Sequence, residues 1–168
     1  MTMSAELYLI RHGVAAERGE AWPDDGKRPL TDEGVRRLRK IAAGLVEIGV
    51  SFDVMLTSPL VRAKQTAEII AGGLDPHPPI ITTDALSPGG AYAGVLDDLT
   101  KQARRRRIAL VGHEPGLGAL AGRLLASRHA LEFKKGAIAR IDVAALPPTG
   151  AGSLHWFLTP KLLRRLGK

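Results

Sequence analysis

The chain has 168 residues and no cysteine, which excludes disulfides, thiolate nucleophiles and zinc–thiolate sites. A hydrophobic content of 45% fits a globular protein, and the length suits one domain, 1–168, with a real core. Part of the net charge of +7 sits in Arg104–Arg107 and in Lys161–Lys168, which read as solvated helix ends and a tail, or as attraction to anionic substrates, protein surfaces or nucleic acid. Residues 1–5 are short and polar, and the apolar run behind them stops at Arg11. Neither a signal peptide nor a membrane span is expected, and a cytoplasmic location follows by default.

Strand-like and helix-like segments alternate, the pattern of an α/β domain. Glu6–Ile10 reads as a buried strand running into Arg11-His12-Gly13. A polar loop follows over Glu17–Pro29. Thr31 is placed as an N-cap, with Asp32 and Glu33 in the first turn. Leu38, Ile41, Ala42, Leu45 and Ile48 then recur at helical spacing until Gly49. Val54–Thr57 is the second strand. Ser58 is expected to cap the next helix with Pro59 at its first position. Ala63, Ala67, Ile70 and Ala71 form that helix's core face, and Gly72-Gly73 ends it. Asp75–Pro79 is loop, Ile80–Thr83 a short strand, Leu86–Gly90 a loop, and Ala93–Arg105 a helix. Ile108–Val111 is a further strand, and a helix runs from after Gly116 to about Ser127. Ala137–Val143 and Leu154–Leu158 read as a hairpin with a long turn at a sheet edge.

Two of these strands end in histidine, His12 and His113. In an open α/β sheet, ligands bind just beyond the carboxyl ends of the strands. Arg11 adjoins the first histidine, and Arg62 falls in the first turn of the helix behind the second strand. Two guanidiniums and two imidazoles meeting at one place describe an anion pocket, most naturally for a phosphoryl group. Arginine's planar fork matches phosphate oxygens, and helix N-termini add N–H donors. A metal held by His12, His113 and a carboxylate is opposed by the adjacent arginines, so no metal or organic cofactor is implied. Nothing around His77, His129 or His155 suggests chemistry.

Several segments, in order along nearly the whole chain, resemble the histidine phosphatase superfamily. They are Leu9-Ile10-Arg11-His12-Gly13, Arg28-Pro29-Leu30-Thr31, Thr57-Ser58-Pro59 with Arg62-Ala63 and Gln65-Thr66-Ala67, Val111-Gly112-His113-Glu114-Pro115, and Lys134-Lys135-Gly136-Ala137. The likeness is to the short bacterial branch of SixA-type phosphohistidine phosphatases. It implies a phosphoglycerate mutase-like fold, a three-layer α/β/α sandwich with a mostly parallel central sheet. It also implies His12 as the nucleophile of a covalent phosphohistidine intermediate, Arg11 and Arg62 as clamps on the phosphoryl oxygens, and His113 as a second histidine on the same oxygens. His12 must then be neutral at its attacking nitrogen, with the other nitrogen held by an acceptor, by resemblance a backbone carbonyl. His113, as a donor, is expected to be protonated, and the two should titrate as a coupled pair.

The general acid is the least legible part. One branch of the superfamily has an aspartate directly after the second histidine. Glu114 holds that place here, and it reads either as an acid or as a helix-start carboxylate serving the dipole. The mutase-like branch carries its acid in the loop after the third strand. Here that loop, Leu86–Gly90, has no carboxylate, and Asp84 is the nearest. A missing acid favours a labile P–N substrate, so hydrolysis of protein-borne phosphohistidine is the expected function. The rivals are a small-molecule phosphomonoesterase using Glu114 and a low-turnover module that binds phosphorylated ligands. The Glu17–Arg28 loop should flank the pocket. Trp22 within it reads equally as a partner contact or as cover for the core edge. Lys134 and Lys135 read as a positive rim or as a charged strand edge. The absence of long insertions suits a shallow pocket for a phosphorylated protein surface or a small phosphorylated substrate. No membrane partner is expected. A nucleic-acid role for Arg104–Arg107 ranks last, since no motif accompanies it and aromatics are 4%.

Overall fold

The computed structural model describes residues 3–168. Its sheet contains β1 (Ala5–Arg11), β2 (Val54–Thr57), β3 (Ile80–Thr82), β4 (Arg107–Gly112), β5 (Ile138–Val143) and β6 (Ser153–Leu158), in the order β3-β2-β4-β1-β5-β6. β3, β2, β4 and β1 are parallel to one another; β5 pairs antiparallel with β1, and β6 antiparallel with β5. The helices are α1 (Asp32–Glu47), α2 (Val61–Gly72), α3 (Tyr92–Lys101), α4 (Gly116–Leu124) and α5 (Pro160–Leu166).

The pleat of β1 produces the layers, because alternate side chains of a strand face opposite sides of a sheet. Leu7 and Leu9 join one core with Val95 and Leu99 of α3 and Leu117, Leu120 and Leu124 of α4. Tyr8 and Ile10 join the other, with Leu38, Ile41 and Leu45 of α1, Ala63, Ala67 and Ile70 of α2, and Leu163 of α5. Helices thus cover both faces, which is why the parallel strands read as unbroken apolar runs. The mostly parallel three-layer sandwich expected from the sequence is the observed fold.

Several boundaries differ from the sequence expectations. The helix after β2 begins at Val61 with Leu60 as its N-cap, so Pro59 lies outside it and not at its first position. The Ser58 hydroxyl accepts the Leu60 N–H at 3.2 Å from outside the helix, and a second partner described below fixes it there. α3 stops at Lys101, short of Arg105, because the chain must turn over 102–105 to enter β4 at Arg107. α4 stops at Leu124, short of Ser127, where Ala126 takes a left-handed φ of 51°. Ile48 caps α1 and is exposed instead of joining its core face. Lys134 and Lys135 lie in the turn before β5, not on a strand edge. The basic C-terminal stretch is a helix, α5. Thr159 caps it by accepting the Leu162 N–H, Pro160 stands in its first turn, and Leu163 is fully buried. Among the described residues no helix is long and apolar enough to cross a membrane.

Candidate active site

Strand register creates the site. β1 and β4 are parallel neighbours with Arg11 opposite Gly112, so the next residues, His12 and His113, leave the sheet side by side. The His12 N–H continues the ladder to the Gly112 carbonyl at 3.1 Å, and the two rings sit with centroids 5.0 Å apart. β2 flanks β4 with Thr57 opposite Val111, and the Ser58 N–H extends that ladder to the Val111 carbonyl at 3.0 Å. Ser58 and His113 are thereby brought together, with Ser58 Oγ 2.8 Å from His113 Nε2. Arg62 enters from the start of α2, almost wholly buried at 2% exposure.

A hydrogen bond fixes the His12 tautomer, and Ser58 engages His113. His12 Nδ1 lies 2.8 Å from the Gly13 carbonyl, which can only accept, so Nδ1 carries the proton and Nε2 keeps its lone pair. Ser58 Oγ accepts from the Leu60 N–H and has one proton of its own to give. When the hydroxyl donates its hydrogen bond to His113 Nε2, His113 carries its proton on Nδ1. Burial pushes the His12 imidazole down to about 3 against the pull of the Gly13 carbonyl, with His113, Arg62 and Arg11 adding to the fall. Burial and then the Arg62 charge push His113 down to about 4. Burial thus favours a neutral His113 in the ligand-free protein, whereas the expectation from the sequence concerns His113 donating to a bound phosphoryl group. With the hydrogen on Nδ1, a neutral His113 still offers a donor.

The arginines are held by the loops around them. Arg11 Nη1 donates to the Phe133 carbonyl at 2.7 Å. Arg62 Nη1 donates to the Asp25 carbonyl at 2.8 Å, and Nη2 to Asp25 Oδ2 at 3.0 Å. Asp25 belongs to a single 3-10 turn, Asp25–Lys27, inside the loop between β1 and α1. Its other oxygen takes Arg28 Nε at 3.1 Å and Arg28 Nη2 at 3.0 Å. Burial acts to raise the Asp25 carboxyl, but Arg62 and Arg28 hold it below the ordinary carboxylate range. Thr66 secures the floor, its hydroxyl accepting the Gly13 N–H at 3.0 Å and donating to the Arg62 carbonyl at 2.7 Å.

Among the described residues, the buried side-chain nitrogens and oxygens lacking a hydrogen-bond partner are Arg11 Nε, Arg62 Nε and His113 Nδ1. All three belong to this site; the two Nε atoms are N–H donors, and His113 Nδ1 is one in the tautomer that takes a hydrogen bond from Ser58. A buried donor without a partner costs about 1–3 kcal/mol, so such groups call for an explanation in a ligand. No group of three His, Cys, Asp or Glu side chains suited to a metal ion occurs among the described residues.

Glu114 follows His113 but is occupied elsewhere. Its Oε1 accepts the Gly118 N–H at 2.7 Å in the first turn of α4, and its Oε2 accepts the Phe133 N–H at 3.3 Å. A Cβ on Gly118 would lie 1.9 Å from the Leu131 carbonyl oxygen, so only glycine lets this segment approach α4. The turn at Lys135-Gly136 also seals the end of β1. Gly136, at a φ of 86°, donates to the carbonyls of Arg11 and His12 at 3.1 and 3.2 Å, while Lys134 and Lys135 stay exposed. Trp22 is 36% exposed and lies in neither core. His77 Nδ1 is satisfied by the Ala71 carbonyl at 2.9 Å, and His129 and His155 are exposed.

Sequence reasoning named Arg11, His12, Arg62, His113 and Glu114, and the structure brings all of them to one sheet edge. It passed over the roles of Asp25, Ser58 and Thr66. The signals were faint: a carboxylate in a polar loop, and two hydroxyls inside segments read for their helix.

A two-guanidinium, two-imidazole site at the carboxyl edge of an α/β sheet defines a phosphoryl-handling class of protein. The histidine phosphatase superfamily (branch 1) matches residues 7–88, a span that includes Arg11, His12 and Arg62. An uncharacterised protein from Picosynechococcus is 41% identical over 165 residues, covering 94% of this chain and 98% of that one. The phosphohistidine phosphatase SixA of Escherichia coli is 28% identical over 158 residues, covering 92% of this chain and 94% of its own. A solved structure of the protein histidine phosphatase SixA complexed with tungstate superposes with a TM-score of 0.83 at 27% identity, over 94% of this chain and 99% of that one. The chain belongs to the histidine phosphatase superfamily, and its fold is the phosphoglycerate mutase-like one.

Proposed function

We propose that this protein is a phosphohistidine phosphatase acting as one domain through a covalent intermediate on His12. The observation that carries the proposal is the set of buried, partnerless donors Arg11 Nε, Arg62 Nε and His113 Nδ1 beside a histidine whose Nε2 lone pair is free. Such a set suits a tetrahedral oxyanion, and the SixA relative was solved with tungstate, an oxyanion of that shape.

In this reading the His12 Nε2 lone pair attacks phosphorus in line as the P–N bond of the substrate breaks. The departing imidazole nitrogen takes a proton from water. The two guanidiniums and the His113 N–H carry charge on the equatorial oxygens, where prearranged donors act most strongly. Water then attacks the phosphohistidine, releasing inorganic phosphate and restoring neutral His12. Phosphoryl transfer asks mainly for positioning and charge neutralisation, and these residues supply both.

The leaving group separates this reading from its rival. An ester needs a proton for its alkoxide. Glu114 has both oxygens committed to backbone N–H groups, and Asp25 is held ionised between two arginines. Neither is poised to give a proton. An imidazole leaving group tolerates that better than an alkoxide does. The test compares initial rates on a histidine-phosphorylated protein and on p-nitrophenyl phosphate, for wild type and His12→Ala. Rapid, His12-dependent loss of phosphohistidine with feeble ester cleavage is expected. Efficient ester cleavage would replace this reading with a small-molecule phosphatase, and phosphate binding without turnover would replace it with a binding module.

A further inference from the structure

Beside the anion site, a cavity of about 340 Å³ runs between the loop after β3 and the N-terminal half of α4, beginning at Gly112 and His113. Its walls are mainly apolar, with Leu86 and Val95 on one side and Leu117 and Leu120 on the other. Arg123, in the last turn of α4, also lines it, and its guanidinium carbon lies 4.1 Å from the centroid of the Tyr92 ring at the start of α3. Among the described residues Arg123 has no ion-pair partner.

Resting on the phosphohistidine reading above, we propose that this groove docks an apolar side chain of the phosphorylated protein partner, with Arg123 pairing an acidic residue beyond it. The helix dipole accounts for a cation at this end of α4 but not for its stacking across the groove. The stack against Tyr92 holds the guanidinium plane at the groove wall and leaves its N–H groups free to meet a carboxylate. Most of the groove's exposed lining is apolar; its polar members besides Arg123 are Ser87, Tyr92, His113 and Glu114, and both Glu114 oxygens are already taken by backbone N–H groups, which leaves Arg123 as the charge at the far end for a partner to meet. From Gly116 to Arg123 the helix rises roughly 10 Å, so a partner helix laid along α4 would place its apolar residue one turn from the phosphohistidine and its acid two turns away. The protein's net charge of +7 favours such an acidic partner over a basic one.

The test uses a pair of alanine-based helical peptides phosphorylated on one histidine. One carries leucine and glutamate one and two turns beyond the histidine, and the other carries alanine and lysine there. Wild type should prefer the first by about tenfold in kcat/KM, the combined worth of a buried leucine and a surface ion pair. Arg123→Glu should shrink that preference to the part carried by the leucine while leaving hydrolysis of free phosphoramidate unchanged. Equal rates of wild type on both peptides, or an equal loss on both in Arg123→Glu, would overturn the groove assignment. If wild type turns over neither peptide nor phosphoramidate, the catalytic reading fails instead. Peptide binding to His12→Ala then decides the groove, the same preference supporting it and its absence overturning it.

Discussion

The Asp25 carboxylate and the Arg62 guanidinium tie the loop between β1 and α1 to the anion site. Arg62 Nη1 and Nη2 each donate to Asp25, at 2.8 and 3.0 Å, and the buried Nε has no protein partner. Asp25 is in turn gripped by Arg28. Asp25 thus orients the buried guanidinium with both its carbonyl and its carboxylate.

Asp25→Ala should weaken phosphate or tungstate binding and lower kcat/KM by about tenfold, since misplacing a clamp costs transition-state stabilisation. Asp25→Asn keeps an acceptor for Arg62 and should recover most of the loss. Titration of the oxyanion by calorimetry checks both. Simple charge repulsion predicts the opposite sign, tighter anion binding once the carboxylate is gone, so that outcome would exclude a positioning role.

Ser58 should act on catalysis through His113, while its bond from the Leu60 N–H is local to the start of α2. Removing its hydroxyl in Ser58→Ala takes away the donor to Nε2, and the proton can then leave Nδ1. A loss of about tenfold in kcat with little change in thermal stability is expected, smaller than the roughly hundredfold that follows removal of a whole transition-state donor, as in Arg62→Ala. Nitrogen NMR shifts of His113 should report the change of tautomer.

Glu114→Gln should leave phosphohistidine turnover within a few fold, because an amide oxygen can still accept the Gly118 N–H. Glu114→Ala strands the N–H groups of Gly118 and Phe133 and should cost about 1–3 kcal/mol of stability by chemical denaturation. Some loss of activity should accompany it, since the Phe133 carbonyl anchors Arg11. A loss of ester hydrolysis in Glu114→Gln by about a hundredfold would instead identify Glu114 as the acid.

Much of this site was legible because the chemistry and the fold use the same punctuation. Apolar runs that stop abruptly at Arg11-His12 and at His113 are buried parallel strands, and parallel strands present their carboxyl ends to ligands. What the sequence could not carry was register. Nothing local tells that Arg11 stands opposite Gly112, or that Asp25 folds back onto Arg62, residues far apart in the chain. Ser58 was misassigned for a related reason: a hydroxyl before a proline looks like a cap until a histidine from another strand claims it. α5 reads as a charged tail because its arginines outweigh the Thr159-Pro160 start and the one fully buried leucine, Leu163, of a helix that packs on α1.

Burial also sets the response to pH. Unfolded histidine titrates near 6.5, whereas His12 and His113 are held down to about 3 and about 4. Below pH 6.5 the unfolded chain therefore binds protons that the native pair does not, and stability falls as the pH drops from 6.5 toward those values; above 6.5 the pair contributes no slope. The thermal midpoint should decline from pH 7 to pH 5, and less steeply in His113→Asn. In the free enzyme, kcat/KM should show no loss near pH 6.5 from protonation of His12. Imidazole C–H resonances of both residues that stay unshifted down to pH 5 would bear this out.

The central claim is that His12 takes the phosphoryl group. Rapid acid-free quenching of a phosphoramidate reaction, followed by peptide mass spectrometry, measures it directly. A phosphorylated peptide containing His12, formed within the first turnover, lost on treatment with acid and absent from His12→Ala, is the predicted result. Phosphate released at the full rate with no modified His12, or undiminished turnover by His12→Ala, would contradict the account.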